Sequence, residues 1–278
     1  MTHALAPEVL ASVDLPPDTP VELAGGATGE MWKVRTPDGL LALRCAPAGA
    51  GTTALVAAMV AAGRAGLPVG EILRRAQHGG SDILLSSWLP GTTVLEALRL
   101  EPGRAHRLGE LMGEAQRALH EVPAPAGLPG VPVWHGHALD ARASGGAVTS
   151  DRLGPPVGSA LVHLDWHPLN ILVDGDKVSG VVDWVNARAG HPLLDVARTH
   201  ALMTINPMLA MLTAQERAFL DELTRGWIAG YGPQAASIPP ACHRWAGEMM
   251  LADLSARYAA DPEGLEPLRR WTMRWTLD

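Results

Sequence analysis

Cysteine is scarce in this chain. Cys45 and Cys242 are the only two, which rules out a disulfide-stapled scaffold and makes a cytoplasmic setting the natural expectation. Cys45 reads as a small core residue rather than a nucleophile. Long apolar runs are missing too: the longest, Ala54 to Ala62, is far too short to span a bilayer. The opening MTHALAPEVL has neither the basic region nor the apolar core of a secretory signal. Positive charge is also short. Lysine occurs only at Lys33 and Lys177, and 22 basic against 29 acidic side chains leave a net charge of −7. That balance argues against a nucleic-acid partner and favours a cationic small molecule. What the chain does have is apolar content, 47% of 278 residues, enough for one large domain or two lobes.

The most informative stretch is LVHLDWHPLNILVDGDKVSGVVD, residues 161–183. Ile171, Leu172 and Val173 form a short apolar arm, Asp174-Gly175 is a turn pair, and Val178 to Val182 form the return arm. An antiparallel hairpin brings its ends together, so Asn170 and Asp183 are expected to meet in space. Asp165 lies on the loop that enters the same hairpin. Two carboxylates and a carboxamide at one end of a rigid ribbon suit a hydrated magnesium ion and a hydroxyl nucleophile, the chemistry of phosphoryl transfer.

Upstream, Val21 to Ala24, Met31 to Arg35 and Leu40 to Ala46 read as strands. Gly25-Gly26-Ala27-Thr28-Gly29 turns the chain between the first two. Glycines there let backbone N–H groups approach phosphate oxygens, and Thr28 would add a hydroxyl. Along LLALRCA, Leu41, Leu43 and Cys45 share one face and Arg44 takes the other.

These motifs resemble a known family. His163-x-Asp165-x-x-x-x-Asn170 resembles the catalytic loop of the aminoglycoside-phosphotransferase and choline-kinase family, with Leu164 in place of a frequent Gly and His167-Pro168 retained. Val181-Val182-Asp183-Trp184 resembles the family's Ile-Asp-Trp metal motif, and Pro192 and Asp195 resemble the segment that follows. His191 stands where an acid is usual, and Val185 where a Glu often follows the Trp. The resemblance is strong over residues 161–198 and fainter over 21–122. It implies an α+β, bilobal protein-kinase-like fold, with a β-rich nucleotide-binding lobe over residues 1–87 and a mainly helical catalytic lobe over 88–278. It implies Asp165 as catalytic base, Asn170 and Asp183 as Mg²⁺ ligands, and ATP or GTP as co-substrate. Gly25, Gly26, Thr28, Gly29 and Arg44 would hold the phosphates, with Arg44 where kinases place a lysine. SSWLPG, residues 86–91, would be the hinge, with adenine bonded to the backbone of Ser87 and Leu89. His163, His167 and Asp195 would support the loop. The family's helix Glu, which holds that strand cation, has no counterpart between Thr53 and Arg64. Either Glu30 or Glu71 replaces it, or Arg44 meets phosphate unaided.

The carboxyl-terminal two-thirds of the chain reads as largely helical: from Pro102 to His120, and near 213–231, 239–260 and 262–275. His120 reads as a partner for its helix C-terminus. His135-x-His137 lacks a third ligand nearby. Trp271 and Trp275 read as packing residues. Acceptor contacts are assigned to Asp140 and Asp151 on a Gly/Ser/Pro-rich loop, and to Trp245, Glu248 and Asp253 on the penultimate helix. The function expected is O-phosphorylation of a cationic antibiotic, an aminoglycoside or a basic cyclic peptide of the viomycin and capreomycin kind, giving resistance. The alternatives are a metabolic kinase for choline, a sugar or an amino alcohol, a non-catalytic nucleotide-binding module, and an unrelated metal-dependent hydrolase.

Overall fold

A computed structural model of the chain describes residues 5–25, 29–49, 51–131 and 159–275. Helix α1 (Pro7–Ala11) leads into strands β1 (Val21–Gly25), β2 (Glu30–Thr36) and β3 (Gly39–Pro47), then helix α2 (Thr52–Arg64), β4 (Ile72–His78) and β5 (Ser81–Ser87). Among the described residues these strands make one antiparallel sheet in the order β1-β2-β3-β5-β4. Side-chain alternation explains its two faces. Trp32, Val34, Leu43, Ile83 and Leu85 pack with Leu10 and Val13 on one side. Leu84 faces the other, where Leu55, Ala58, Met59 and Ala62 of α2 cover it. Strand β4 went unrecognised in the sequence because ILRRAQH carries little apolar alternation. It lies at the sheet edge with Arg74 and Arg75 exposed, where charge blunts unwanted strand pairing.

Past the sheet come β6 (Thr92–Thr93), α3 (Val94–Leu100), α4 (Ala105–His120), β7 (Ala160–Val162), β8 (Ile171–Asp174), β9 (Lys177–Val181) and β10 (Arg188–Gly190). Helices α5 (Pro192–Thr204), α6 (Ala214–Tyr231), α7 (Pro233–Ala236), α8 (Pro240–Ser255) and α9 (Glu266–Met273) complete the chain. Thr93 starts α3 by accepting the Glu96 N–H at 3.1 Å. Thr213 and Glu216 cap α6 reciprocally. Helices α4 and α6 meet backbone to backbone. A Cβ on Gly109 would lie 2.0 Å from the Leu223 carbonyl oxygen, and one on Gly226 would lie 2.0 Å from that of His106. This close approach fixes α4, which carries the floor of the catalytic loop: Trp166, fully buried, donates its indole N–H to the Met112 carbonyl at 3.2 Å.

The hairpin β8–β9 forms as expected, with one correction. Asp174 pairs with Lys177, so the turn is Gly175-Asp176 rather than Asp174-Gly175. Gly175 supplies the positive φ, +59°. The connection from the sheet docks on this hairpin. Ser179 Oγ donates to the Pro90 carbonyl at 2.7 Å, and Gly91, at φ +96°, has no room for a side chain against Val173. From the sheet side, the Pro68 carbonyl accepts the Val181 N–H at 2.8 Å. The hairpin is thus bonded to both halves of the molecule. No helix of the described residues is long and apolar enough to cross a membrane.

Candidate active site

Two residues with left-handed backbone bracket the site. Leu164, at φ +62°, turns the chain immediately before Asp165, and Asp183, at φ +59°, turns it two residues after β9. Aspartate tolerates that conformation; a bulky leucine does so only when its surroundings enforce it. Here the leucine side chain is buried in the core formed with α5, α8 and α9. Its N–H donates to Asp195 Oδ1 at 2.8 Å.

Asp195 organises the loop. Fully buried on the first turn of α5, it accepts the N–H groups of His163 (2.9 Å) and Leu164 (2.8 Å), and its Oδ2 also accepts from His120 Nε2 at 3.0 Å. Burial alone would raise its carboxyl, yet the bond and charge of His120, together with His163, hold it below the usual carboxylate range. His120 in turn faces the Tyr231 hydroxyl at 2.7 Å through Nδ1. The C-terminal-dipole role expected of His120 is therefore corrected: its side chain is enclosed between α5 and α6, linking Tyr231 to Asp195. Only the fold could reveal this, since those partners are far apart in sequence.

His163 sits beneath the loop, edge-on to Trp166 and Trp184. Its Nδ1 accepts the Asp165 N–H at 3.3 Å and its Nε2 donates to the Val182 carbonyl at 3.0 Å. One neutral ring thus joins the 163–170 loop to Val182, which links β9 to Asp183. Burial depresses its pKa despite the nearby Asp195, Asp165 and Asp183, which favours the neutral form.

The hairpin ends meet as the sequence implied. Val182 N–H donates to the Asn170 carbonyl at 3.0 Å, which puts Asp183 one residue beyond that pair. Asn170 Nδ2 donates to the Asp165 carbonyl at 2.9 Å and to its Oδ2 at 3.1 Å. The amide N–H groups therefore point at Asp165, leaving Oδ1 as the end of Asn170 suited to a cation. Asp183 is solvent-exposed and its side chain caps nothing. The Asn170 amide oxygen and the Asp183 carboxylate are hard oxygen donors of the kind that would fit a magnesium ion. Leu169 N–H donates to His167 Nδ1 at 3.3 Å, which leaves Nε2 facing Asp165 Oδ1 at 3.5 Å. Burial pushes the Asp165 carboxyl up, but the bond and charge of His167, with His163 and Arg198, bring it below its ordinary value.

Across the cleft, Arg44 on β3 is 8% exposed. Burial lowers its pKa, opposed by the charges of Asp183 and then Asp82. Asp82, on the adjacent strand β5, was not among the acids weighed from sequence. Helix α2 has no acid in its first turn, and Glu30 accepts the Trp32 indole N–H at 3.2 Å. Gly25 ends β1 at φ +129°, where the β1–β2 register shifts. Gly29 is required where β3 passes: a Cβ there would lie 2.7 Å from the Cys45 carbonyl oxygen. Gly26 and Thr28 lie outside the described residues, as do Asp140 and Asp151.

Some sequence expectations need correction. Of the Ser87 backbone, expected to meet adenine, the N–H is taken by the Glu71 carbonyl at 2.9 Å. Leu89 N–H enters no backbone hydrogen bond among the described residues. Trp245 is 1% exposed in the α5–α8–α9 core, so its ring presents no face to an acceptor. Glu248 is paired with Arg244 at 2.6 Å on its own helix, and Asp253 is paired with Arg198. Neither is a spare anion. His191, in place of an acid, caps α5 by accepting the Leu193 N–H on Nδ1 at 3.1 Å. Burial, then the charge of His120, lowers its pKa and favours that neutral acceptor form.

Residues 19–236 match the model of the phosphotransferase enzyme family. The chain belongs to that family. A search of curated proteins found no match. Among solved structures, a thermostable mutant of aminoglycoside phosphotransferase APH(4)-Ia in ternary complex with ADP and hygromycin B is 14% identical. It has a TM-score of 0.66 and covers 99% of this chain and 100% of that one. The microcompartment-associated aminopropanol kinase is 15% identical, with a TM-score of 0.65 and coverage of 96% and 93%. Spectinomycin phosphotransferase APH(9)-Ia, in complex with ADP and spectinomycin, is 10% identical, with a TM-score of 0.58 and coverage of 93% and 89%. At these identities the likeness is one of fold: α+β, bilobal and kinase-like, as the family resemblance implied.

Proposed function

We propose that this family member is a small-molecule O-phosphotransferase that moves the γ-phosphoryl group of ATP or GTP to a hydroxyl of a cationic acceptor. One observation supports this above the rest: Asp165, Asn170 and Asp183 gather at one end of the β8–β9 hairpin, with Arg44 opposite Asp183. A module that only bound nucleotide would have no need of all three.

In this reading the chain divides after Ser87 into a nucleotide-binding lobe and a catalytic lobe. The phosphates lie under the Gly25–Gly29 turn and against Arg44, whose guanidinium can grip two oxygens at once. Adenine bonds to the backbone of Leu89. Asn170 and Asp183 would hold Mg²⁺, which supplies charge neutralisation at the phosphates when bound. Asp165, ionised at neutral pH, orients the acceptor hydroxyl and takes its proton late in the transfer, so no raised pKa is required. His163, His167 and Asp195 keep that carboxylate in place.

The acceptor reading is an aminoglycoside or a basic cyclic peptide, with resistance as the consequence. It draws on the net charge of −7 and on the neighbours named for aminoglycosides. The aminopropanol kinase neighbour favours a second reading, a metabolic amino-alcohol kinase. A coupled nucleotide-turnover assay over hydroxylated acceptors, with product mass spectrometry, separates them. Turnover with a cationic antibiotic and the mass gain of one phosphoryl group is the expected result. Turnover with metabolites only would favour the second reading, and nucleotide binding without turnover would remove both.

A further inference from the structure

Leu164, the left-handed residue just before Asp165, is gripped at both ends of its backbone by one face of α5. Asp195 accepts its N–H at 2.8 Å, and three residues further along the helix Arg198 Nε reaches its carbonyl at 3.4 Å. Residues three apart on a helix share a face, so an anion and a cation are presented together to one residue's donor and acceptor. Arg198 is 5% exposed. Its Nη2 is ion-paired with Asp253 on α8, and its Nη1 is buried with no hydrogen-bond partner.

Stability does not account for such an arginine. The guanidinium is buried while Asp253 is half-exposed, so the pair returns only part of the arginine's desolvation cost, and an unpartnered buried N–H adds a further cost. Apolar replacement of a buried charge together with its partner is often neutral or stabilising. We propose that Arg198 is a positioning residue: anchored by Asp253, it clamps the Leu164 carbonyl and fixes the left-handed turn that aims Asp165 at the acceptor hydroxyl. Asp253, assigned to substrate from sequence, is then the anchor of this clamp. The inference rests on the phosphotransferase reading above and assigns that site a residue which touches no reactant.

The test compares Arg198→Met, Arg198→Lys and the double variant Arg198→Met/Asp253→Leu with the unaltered chain. The double variant is expected to melt at the same or a higher temperature, yet to lose roughly 10- to 100-fold in kcat while nucleotide KM stays within about twofold. Arg198→Lys should restore part of kcat. The dependence on residue 164 is decisive. Glycine adopts positive φ without strain, so in a Leu164→Gly background the loss from Arg198→Met should shrink to about threefold or less. Leu164→Asn, which also tolerates that backbone, serves if the glycine variant folds poorly. Amide hydrogen exchange at His163 and Leu164, which needs no turnover, should quicken in Arg198→Met. If the unaltered protein phosphorylates no acceptor, the functional reading fails while exchange still judges the clamp. Unchanged exchange and kcat in a folded Arg198→Met, or an equal loss in both backgrounds, would overturn the inference.

Discussion

Asp195 is a fully buried carboxylate and Asp165 a partly buried one, and the structure gives them opposite work. Asp165 keeps part of its carboxylate exposed, with His167 at Oδ1 and Asn170 at Oδ2. Replacing it with alanine should therefore lower kcat by about three orders of magnitude or more, with nucleotide KM nearly unchanged, because the proposed function gives the phosphates to other residues. Steady-state kinetics with nucleotide and acceptor varied separately checks this; near-normal kcat would reject Asp165 as base. Asp195 spends its oxygens on His163, Leu164 and His120. Asn at 195 would set an amide N–H against backbone donors, and breaking such a buried cluster costs roughly 3–5 kcal/mol. A melting temperature within a degree or two of the parent would show that the loop needs no such anchor. The sequence pointed to both aspartates through their motif. It did not distinguish acceptor acids from paired ones: Asp253 acquires Arg198 only when α5 packs on α8, although the i,i+4 spacing of Arg244 and Glu248 was legible.

At the level of elements, periodicity and turn chemistry made β1, β2, β3, α2, α4 and the β8–β9 hairpin legible. Each combines a clear apolar alternation or helical stripe with a Gly or Pro boundary. Strand β4 was not legible, since an edge strand with arginines loses that alternation. The meeting of α4 and α6 was hidden for another reason. Gly109, Gly113, Gly226 and Gly230 look like weak helix residues in isolation, and their use appears only when two helices touch. A Cβ on Gly113 would sit 2.3 Å from the Trp227 carbonyl oxygen. Gly113→Ala should accordingly destabilise the protein by about 1–3 kcal/mol, despite alanine's better helix propensity. Its neighbour Met112 holds Trp166, so kcat should fall along with stability. A urea titration that shows Gly113→Ala stabilising would mean that the helices can move apart without cost.

The whole molecule carries a built-in response to acid. His243 on α8 stacks on Trp275 with ring centroids 4.2 Å apart and meets His200 of α5 and Trp271 of α9 edge-on. Burial, then the charges of His200 and Arg274, lowers its pKa to about 4. His200 is depressed as well, first by burial and then by Arg274. Between the ordinary histidine value near 6.5 and about 4, the unfolded chain binds a proton at His243 that the folded protein excludes. Stability therefore rises with pH across that window and is lost as pH falls through it. Below it, Asp195 and Asp165, both depressed, extend the loss in the same direction. Phenylalanine at 243 would keep a ring on Trp275 while removing both the titration and the unpartnered Nδ1. The melting temperature of His243→Phe should match or exceed the parent at pH 7 and decline less between pH 6.5 and 4. Parallel declines for the two proteins would place the acid sensitivity elsewhere, in the other depressed histidines, His163, His191 and His200.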